Sequence, residues 1–187
     1  MERFRNPSRQ GGFTLIEMAI VLVIIGLIIG AVLKGQDLIQ NARAKKFANF
    51  IRAAEVGQWN WLDRKGHFNG DNDSTPDGLI DSDPDWTGFQ NKPKSKITLG
   101  SHTFDLYHGF NGTDNFIAVT PQGDPFDEDE LVFPETFDAS IDGVANGTAG
   151  SVICVDSAVD GNGNATENFG SAVECDTSAN SLIYYFD

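Results

Sequence analysis

Basic residues are scarce over most of this sequence. From residue 66 onward the chain has three Lys against 22 Asp and Glu, a formal charge of −19. Such a surface repels nucleic acid and anionic lipid and favours divalent cations. The whole 187-residue chain carries −14, whereas residues 1–12 hold three Arg and one Glu. We therefore expect no nucleic-acid partner, and two different environments along the chain.

Residues that carry catalysis are also few. There are three histidines, His67, His102 and His108, and none has neighbours suggesting a nucleophile or a zinc site. The sequence has no Gly-rich phosphate loop and no dinucleotide fingerprint. The acidic run 126–130 shows no ligand spacing and is interpreted as a solvated face or a partner surface. We expect surface histidines, no organic cofactor and no enzymatic activity.

Proline is absent between Pro7 and Pro76, so a long helix is not interrupted there. Residues 13–33 are apolar except for the ionisable Glu17 and are long enough to span a bilayer. A cleaved secretory signal has a shorter apolar run with the small-residue cleavage site after it. Residues 13–33 are therefore predicted to be a membrane segment, exposed to lipid before any assembly.

The helix is predicted to continue to about residue 62 as an amphipathic segment. Apolar residues recur there every three or four positions, which predicts a buried stripe. The stripe comprises Leu38, Ile39, Ala42, Lys46, Phe47, Phe50, Ile51, Ala54, Gln58, Trp61 and Leu62. One helix over 13–65 thus has a membrane or assembly part, 13–33, and a part, 34–62, that packs on a head.

Residues 11–26, "GGFTLIEMAIVLVIIG", resemble the cleavage and methylation site of type IV prepilins and the related pseudopilins. In that family a membrane peptidase cuts after a Gly and methylates the new N-terminal amine. The resemblance implies that residues 1–12 are a basic leader ending at Gly12, that Phe13 becomes the methylated N-terminus, and that Glu17 serves assembly. It also implies a bacterial inner-membrane protein with its head outside the cytoplasm, and later a surface or periplasmic filament.

Glu17 fits this role chemically. A lone carboxylate within a membrane helix costs about 2.5 kcal/mol or more at the helix centre, so it usually has a partner. Glu17 stands one turn after Phe13 and close to the positive end of the helix dipole. The expected partner is the Phe13 ammonium that cleavage frees, on the same or a neighbouring subunit. The alternative interpretation is a flanking charge at headgroup level.

The resemblance implies a structural subunit whose partners are copies of itself, the prepilin peptidase and the inner-membrane assembly machinery of a pilus or secretion system. A type IV pilin competes with a type II secretion pseudopilin. Many major pilins have a proline beyond the position of Gly30, and this chain has Gly26, Gly30 and Gly35 instead. That difference leaves the choice open. A third hypothesis is a membrane-anchored, Ca²⁺-binding adhesive module that never polymerises.

Residues 66–187 are predicted to form an acidic, β-rich head. Short runs of β-branched and aromatic residues alternate there with Gly, Asn, Asp and Pro. The predicted strands are Ser95–Leu99, Thr103–Tyr107, Asn115–Thr120, Leu131–Phe133, Ser151–Asp156 and Ser181–Phe186. The first two are expected to form a hairpin. The fold class is α+β, a long N-terminal helix packed on a small antiparallel sheet, as the pilin resemblance also implies.

Cys154 and Cys175 are the two cysteines, and they flank a polar stretch. In an oxidising compartment such a pair most often forms a disulfide, and pilins often close a C-terminal loop in this way. Closing a loop of this length contributes about 3 kcal/mol. A metal pair and a reactive thiol are the alternatives, but neither a CxxC motif nor an adjacent His supports them.

The acidic stretch 69–85, "NGDNDSTPDGLIDSDPD", suggests Ca²⁺ binding. Ca²⁺ is bound by oxygen ligands at alternate positions of a tight loop. The candidate ligands are Asp71, Asp73, Thr75, Asp77 and Asp81, of which the first four stand at positions 1, 3, 5 and 7 of such a loop. Pro76 replaces the EF-hand glycine and Ser82 stands at position 12, so we expect a variant loop closed by Asp81 or Asp83. The alternative is a solvated acidic turn.

Overall fold

The structure, a computed structural model, describes residues 12–71, 74–90, 92–123, 125–157, 159 and 171–186. The leader residues 1–11 and the candidate ligand Asp73 lie outside the described residues. Contacts divide the chain into two units, Met1–Asn41 and Ala42–Asp187. The second unit contains a six-stranded sheet, a short helix and the later part of the long first helix.

Helix α1 spans Leu15–Lys65 without a break. Its last turn carries Arg64 and Lys65, which complement the negative end of the helix dipole. Gly66 then adopts a φ of 85°, and its N–H donates to the Leu62 carbonyl at 2.8 Å. A glycine in this left-handed conformation is a common helix stop. The uninterrupted helix that the missing proline predicts is therefore present.

The sheet is antiparallel throughout, with strand order β1-β2-β3-β6-β4-β5. Its strands are β1 Lys96–Leu99, β2 His102–Phe110, β3 Asn115–Pro121, β4 Val152–Val155, β5 Ala172–Val173 and β6 Ser181–Tyr185. Helix α2, Val132–Ile141, lies between β3 and β4 in the sequence. Strands β1 and β2 form the expected hairpin, in which Leu99 pairs with His102.

The main core lies between the sheet and the part of α1 after Asn41. Phe47 is fully buried, with its ring centroid 5.2 Å from that of Phe104 on β2 and 5.7 Å from that of Phe133 on α2. Strand β3 is buried on both faces, and a second cluster around Phe116 and Ile183 lies across the sheet. The α+β, pilin-like class predicted from the sequence is confirmed.

Two local predictions are wrong. Leu131–Phe133 is not a strand, since Val132 and Phe133 begin α2. The β-branched and aromatic pair favours a strand, but α2 buries Phe133, Pro134, Phe137 and Asp138, which is one face of a helix. Pro134 is tolerated because it stands in the first turn. Four residues placed in the buried stripe are exposed, namely Leu38, Ile39, Ala42 and Lys46, and burial on α1 begins at Ala44.

Candidate functional site

The start of α1 is organised by Thr14 and Glu17. The Glu17 carboxylate accepts hydrogen bonds from the Thr14 backbone N–H at 2.7 Å and from the Thr14 hydroxyl at 2.8 Å. The Thr14 hydroxyl in turn accepts from the Glu17 N–H at 3.3 Å. This reciprocal pattern is a capping box, which satisfies two backbone donors at the helix start. Glu17 therefore has a local role that the sequence reasoning missed, although the spacing Thr-x-x-Glu signals it.

The expected Phe13 ammonium is not the partner of Glu17 in this structure. With residues 1–12 attached, the Phe13 nitrogen belongs to a peptide bond and carries no charge. Gly12 and Phe13 precede the helix, and the Phe13 side chain is 81% exposed. Pairing between Glu17 and a freed ammonium stays a prediction about the cleaved chain.

Residues of α1 before Ala42 expose their apolar side chains. From Gly12 to Asn41 every residue is exposed except Gly35, which is half-buried. By length and composition α1 can cross a membrane, and its most apolar window of 18 residues has nothing buried in it. An exposed apolar surface of this size needs lipid or other protein to cover it.

Residues 7–33 match the family model described as the prokaryotic N-terminal methylation motif. The chain carries the type IV pilin and pseudopilin signature. The match includes Gly12, Phe13 and Glu17. It supports a substrate of the prepilin peptidase from the pilin or pseudopilin class, and it fits anchoring through the apolar part of α1. No curated protein and no solved structure matches the chain significantly.

In the described part of the predicted Ca²⁺ loop, hydrogen bonds gather around Asp71. The Asp71 carboxylate is buried, and it accepts hydrogen bonds from the backbone N–H groups of Asp77 at 3.3 Å and of Gly78 at 3.0 Å. The Asp77 carboxylate accepts from the Leu79 N–H at 3.0 Å. Thr75 and Asp81 are exposed. Asp77 thus forms an Asx turn with Leu79, whereas Asp71 bonds across the loop to the backbone six and seven residues further on.

Buried amide side chains hold this loop in place. Gln58 of α1 exchanges two hydrogen bonds with the Asn69 backbone, at 3.1 and 2.9 Å. The Asn69 side chain exchanges two with the Asp85 backbone, at 3.0 and 2.9 Å. On the other side, Asn115 accepts from the Ile80 N–H at 2.8 Å and donates to the Gly78 carbonyl at 2.7 Å. Both ends and the middle of the loop are therefore fixed to the head.

The two ends of the loop line an open groove of about 680 Å³. Asp71, Asp81, Asp83 and Asp85 line this groove, together with Trp61, Lys65, His67, Asn69, Gly70 and Ser82. Gly70 has a φ of 103°, and a Cβ there would meet the Ser82 carbonyl oxygen, so the close approach of the two loop arms requires glycine. The groove gathers carboxylates, which are ligands that Ca²⁺ prefers. Ca²⁺ binding here stays a prediction.

Cys154 and Cys175 are bonded to each other, with their Cα atoms 5.2 Å apart. Cys154 lies on β4 and is fully buried, and Cys175 follows β5. The bridge closes the segment between β4 and the edge strand β5.

A third cluster joins His102 to the turn before α2. The His102 Nδ1 lies 3.1 Å from Glu130 Oε1 and 3.7 Å from Asp127 Oδ2. Glu130 is buried, and this burial is the main reason why the pKa of its carboxyl group is raised. The interpretation of the run 126–130 as a solvated face is therefore wrong for Glu130. The Asp-x-x-Glu spacing of Asp127 and Glu130 is the sequence pattern that could have predicted this turn, in which each carboxylate accepts a hydrogen bond from the backbone N–H of the other residue.

The expectation of surface histidines also fails at His108. This side chain is buried on β2, and burial lowers its pKa to about 4. Its Nε2 has no hydrogen-bond partner among the described residues. At neutral pH the imidazole is therefore uncharged and serves the packing of the sheet against Trp86, whose ring centroid is 5.9 Å away.

Proposed function

We propose that this chain is the structural subunit of a type IV pilus or pilus-like filament. The prepilin peptidase removes residues 1–12, and the apolar part of α1 then leaves the bilayer and packs among the same helices of other copies. The acidic heads form the outer surface of the filament. The observation that carries this proposal is the exposed apolar segment of α1, which has Glu17 as its ionisable group and starts at the matched cleavage motif.

Cutting the bond between Gly12 and Phe13 changes the charge close to Glu17. The Phe13 nitrogen becomes an ammonium, and Glu17 lies one helical turn away from it. In a bundle of apolar helices both charges lose water, so each needs the other or an equivalent group on a neighbouring copy. Glu17 then exchanges a capping role in the precursor for a charge-pairing role in the filament.

The capping box makes a simple Glu17→Ala test ambiguous, because the substitution removes both roles. Thr14→Val is the matched control, since it removes the hydroxyl of the cap and keeps the carboxylate. We expect Glu17→Ala to abolish filaments while the protein still inserts into the membrane. We expect Thr14→Val to keep filaments, with a small loss of stability of about 1 kcal/mol at the helix start.

Filaments can be counted by electron microscopy, and insertion measured by membrane fractionation. Filaments that persist in Glu17→Ala contradict the proposal. Loss of filaments in both variants, to the same extent, assigns the effect to capping and contradicts the charge-pairing account.

Pseudopilin of a type II secretion system is the second candidate function, and the same motif supports it. The two candidates differ in where the assembled chain is found. Recovery of the protein in filaments sheared from the cell surface favours the pilus subunit. Its retention in the cell envelope, together with a secretion defect when it is deleted, favours the pseudopilin. A head that stays anchored and never polymerises favours the Ca²⁺-binding adhesive module.

A further inference from the structure

Three ligating side chains meet on the head from two separate segments. His102 is the first residue of β2, next to the turn of the β1–β2 hairpin. Asp127 and Glu130 belong to the turn that precedes α2. One ligating atom from each of the three lies within 4.8 Å of the other two. Since Asp127 stands 25 positions after His102, the fold rather than the local sequence brings these atoms together.

Backbone hydrogen bonds fix both carboxylates in orientation. The Asp127 Oδ1 accepts from the Glu130 N–H at 2.8 Å, and the Glu130 Oε2 accepts from the Asp127 N–H at 3.2 Å. These bonds use one oxygen of each carboxylate. The second oxygens, Asp127 Oδ2 and Glu130 Oε1, are the ones that face the His102 Nδ1. Such outer contacts orient the ligands of protein metal sites.

The separations match those between neighbouring ligands of a small tetrahedral cation. Zn²⁺ holds imidazole nitrogen and carboxylate oxygen at about 2.0–2.2 Å, which places adjacent ligand atoms roughly 3.3 Å apart. The two distances from His102 Nδ1, 3.1 and 3.7 Å, lie on either side of that value. Three protein ligands also leave a fourth position for water, a common arrangement for Zn²⁺.

Access and charge also suit a cation. The three side chains line an open cavity of about 390 Å³, whose other walls include Ser101, Thr103 and Gln122. The Asp127 carboxylate is 59% exposed, whereas the His102 and Glu130 side chains are 17% and 8% exposed. A divalent cation can therefore enter from the Asp127 side and neutralise both carboxylates. The imidazole nitrogen favours zinc-like metals over Ca²⁺ and Mg²⁺, which prefer oxygen ligands.

We propose that His102 Nδ1, Asp127 Oδ2 and Glu130 Oε1 form a binding site for a zinc-class divalent cation. The cation binds the lone pair of the neutral imidazole at Nδ1, with the ring proton on Nε2, and joins the hairpin turn of β1 and β2 to the turn before α2. The site lies in the head, apart from both the assembly segment and the acidic groove at 69–85. It operates in the precursor and in the processed chain, so its test does not depend on filament assembly.

The test is a Zn²⁺ titration of the full chain in detergent, in competition with a chromogenic chelator. We expect one Zn²⁺ per chain. His102→Gln and Asp127→Asn should each weaken binding by at least about 10- to 100-fold, the loss that even an indirect contact to a metal produces. An Asn side chain keeps an oxygen that can accept from the Glu130 N–H, so Asp127→Asn removes the ligand charge without removing this hydrogen bond of the turn.

Two matched controls isolate the site. Asp129→Asn makes the same charge change two residues away on an exposed side chain, and His67→Gln removes a histidine beside the acidic groove. Both should leave the Zn²⁺ affinity unchanged. Visible absorption of bound Co²⁺ reports four-coordinate geometry, and His102→Gln should lose that signal. The proposal is overturned by the absence of stoichiometric Zn²⁺ binding, by full affinity in either His102→Gln or Asp127→Asn, or by loss of affinity in a control.

Discussion

Helix α1 contains two apolar stretches in opposite states. In residues 13–33, Leu15 is 93% exposed and Leu22 69%, whereas Phe47 and Ile51, further along the same helix, are fully buried. The later stretch meets a sheet supplied by its own chain. The first has apolar side chains on all sides and no such cover among the described residues, so lipid or other copies must provide it. One helix thus packs into the folded head at one end and exposes an apolar surface at the other.

Phe47→Ala tests the folded side of this comparison and has the largest expected effect. Its ring packs on Phe104 and Phe133, so truncation should lower the free energy of unfolding by about 3–5 kcal/mol. Leu38→Ala, on the exposed part of α1, should change it by less than about 0.5 kcal/mol. Urea unfolding of both variants in detergent, followed by tryptophan fluorescence, measures the difference. Equal losses of unfolding free energy in the two variants would contradict this difference between the two parts of α1.

Removal of the disulfide tests a second feature of the head. Cys154→Ser combined with Cys175→Ser should cost about 3 kcal/mol, because the unfolded chain regains the freedom of the closed loop. Urea unfolding of the double variant measures this cost, and membrane insertion through residues 13–33 should be unaffected. A reduced wild-type protein serves as the control and should show the same loss. An unchanged unfolding midpoint contradicts a stabilising role for the bridge.

Buried His108 predicts a pH dependence of the head. Burial lowers its pKa from 6.5 to about 4. Between these two pH values the His108 imidazole is protonated in the unfolded chain and neutral in the folded chain, so the folded state loses stability as the pH falls. Stability from this group is complete above pH 6.5 and is lost as the pH falls to about 4. At about 1.4 kcal/mol per pH unit, the loss is on the order of 3 kcal/mol.

The measurement is the difference in unfolding free energy between wild type and His108→Phe at several pH values, which cancels the titration of other groups. That difference should shrink, or reverse in sign, as the pH falls from 6.5 to 4. Parallel profiles for wild type and His108→Phe would show that burial of this imidazole has no such effect.

Ca²⁺ binding in the groove at 69–85 should have the smallest effect. At a concentration about tenfold above its dissociation constant, Ca²⁺ should stabilise the head by about 1.4 kcal/mol. Asp81→Asn, at an exposed position on the groove, should remove this gain, whereas Asp129→Asn should keep it. Thermal unfolding of the full chain with Ca²⁺ and with a chelator measures the gain. Equal unfolding temperatures under both conditions contradict the predicted site.

The parts of the structure that the sequence predicts are those governed by local patterns. A run without proline predicts the continuous α1, and alternating strands with turn residues predict most of the sheet. Helix α2 was missed because Val132 and Phe133 favour a strand locally, while the burial of Phe133 against Phe47 and Phe104 decides for a helix. Local propensity is a weak guide wherever tertiary packing opposes it.

The candidate sites also differ in whether local sequence patterns predict them. The motif around Gly12 and Glu17 is continuous in sequence and was recognised from its residues alone. The cluster at His102 forms because the β1–β2 hairpin turn lies against the turn before α2. These segments are distant in the sequence, so residue spacing does not predict their contact. The buried state of His108 likewise depends on which face of β2 meets Trp86.

The most direct test of the account is the N-terminus of the protein recovered from assembled filaments. Mass spectrometry of its first peptide should find a methylated Phe13 with residues 1–12 removed. The same peptide from cells without the prepilin peptidase should retain the bond between Gly12 and Phe13. Filament protein that still contains this bond, or that begins at another residue, would contradict the account.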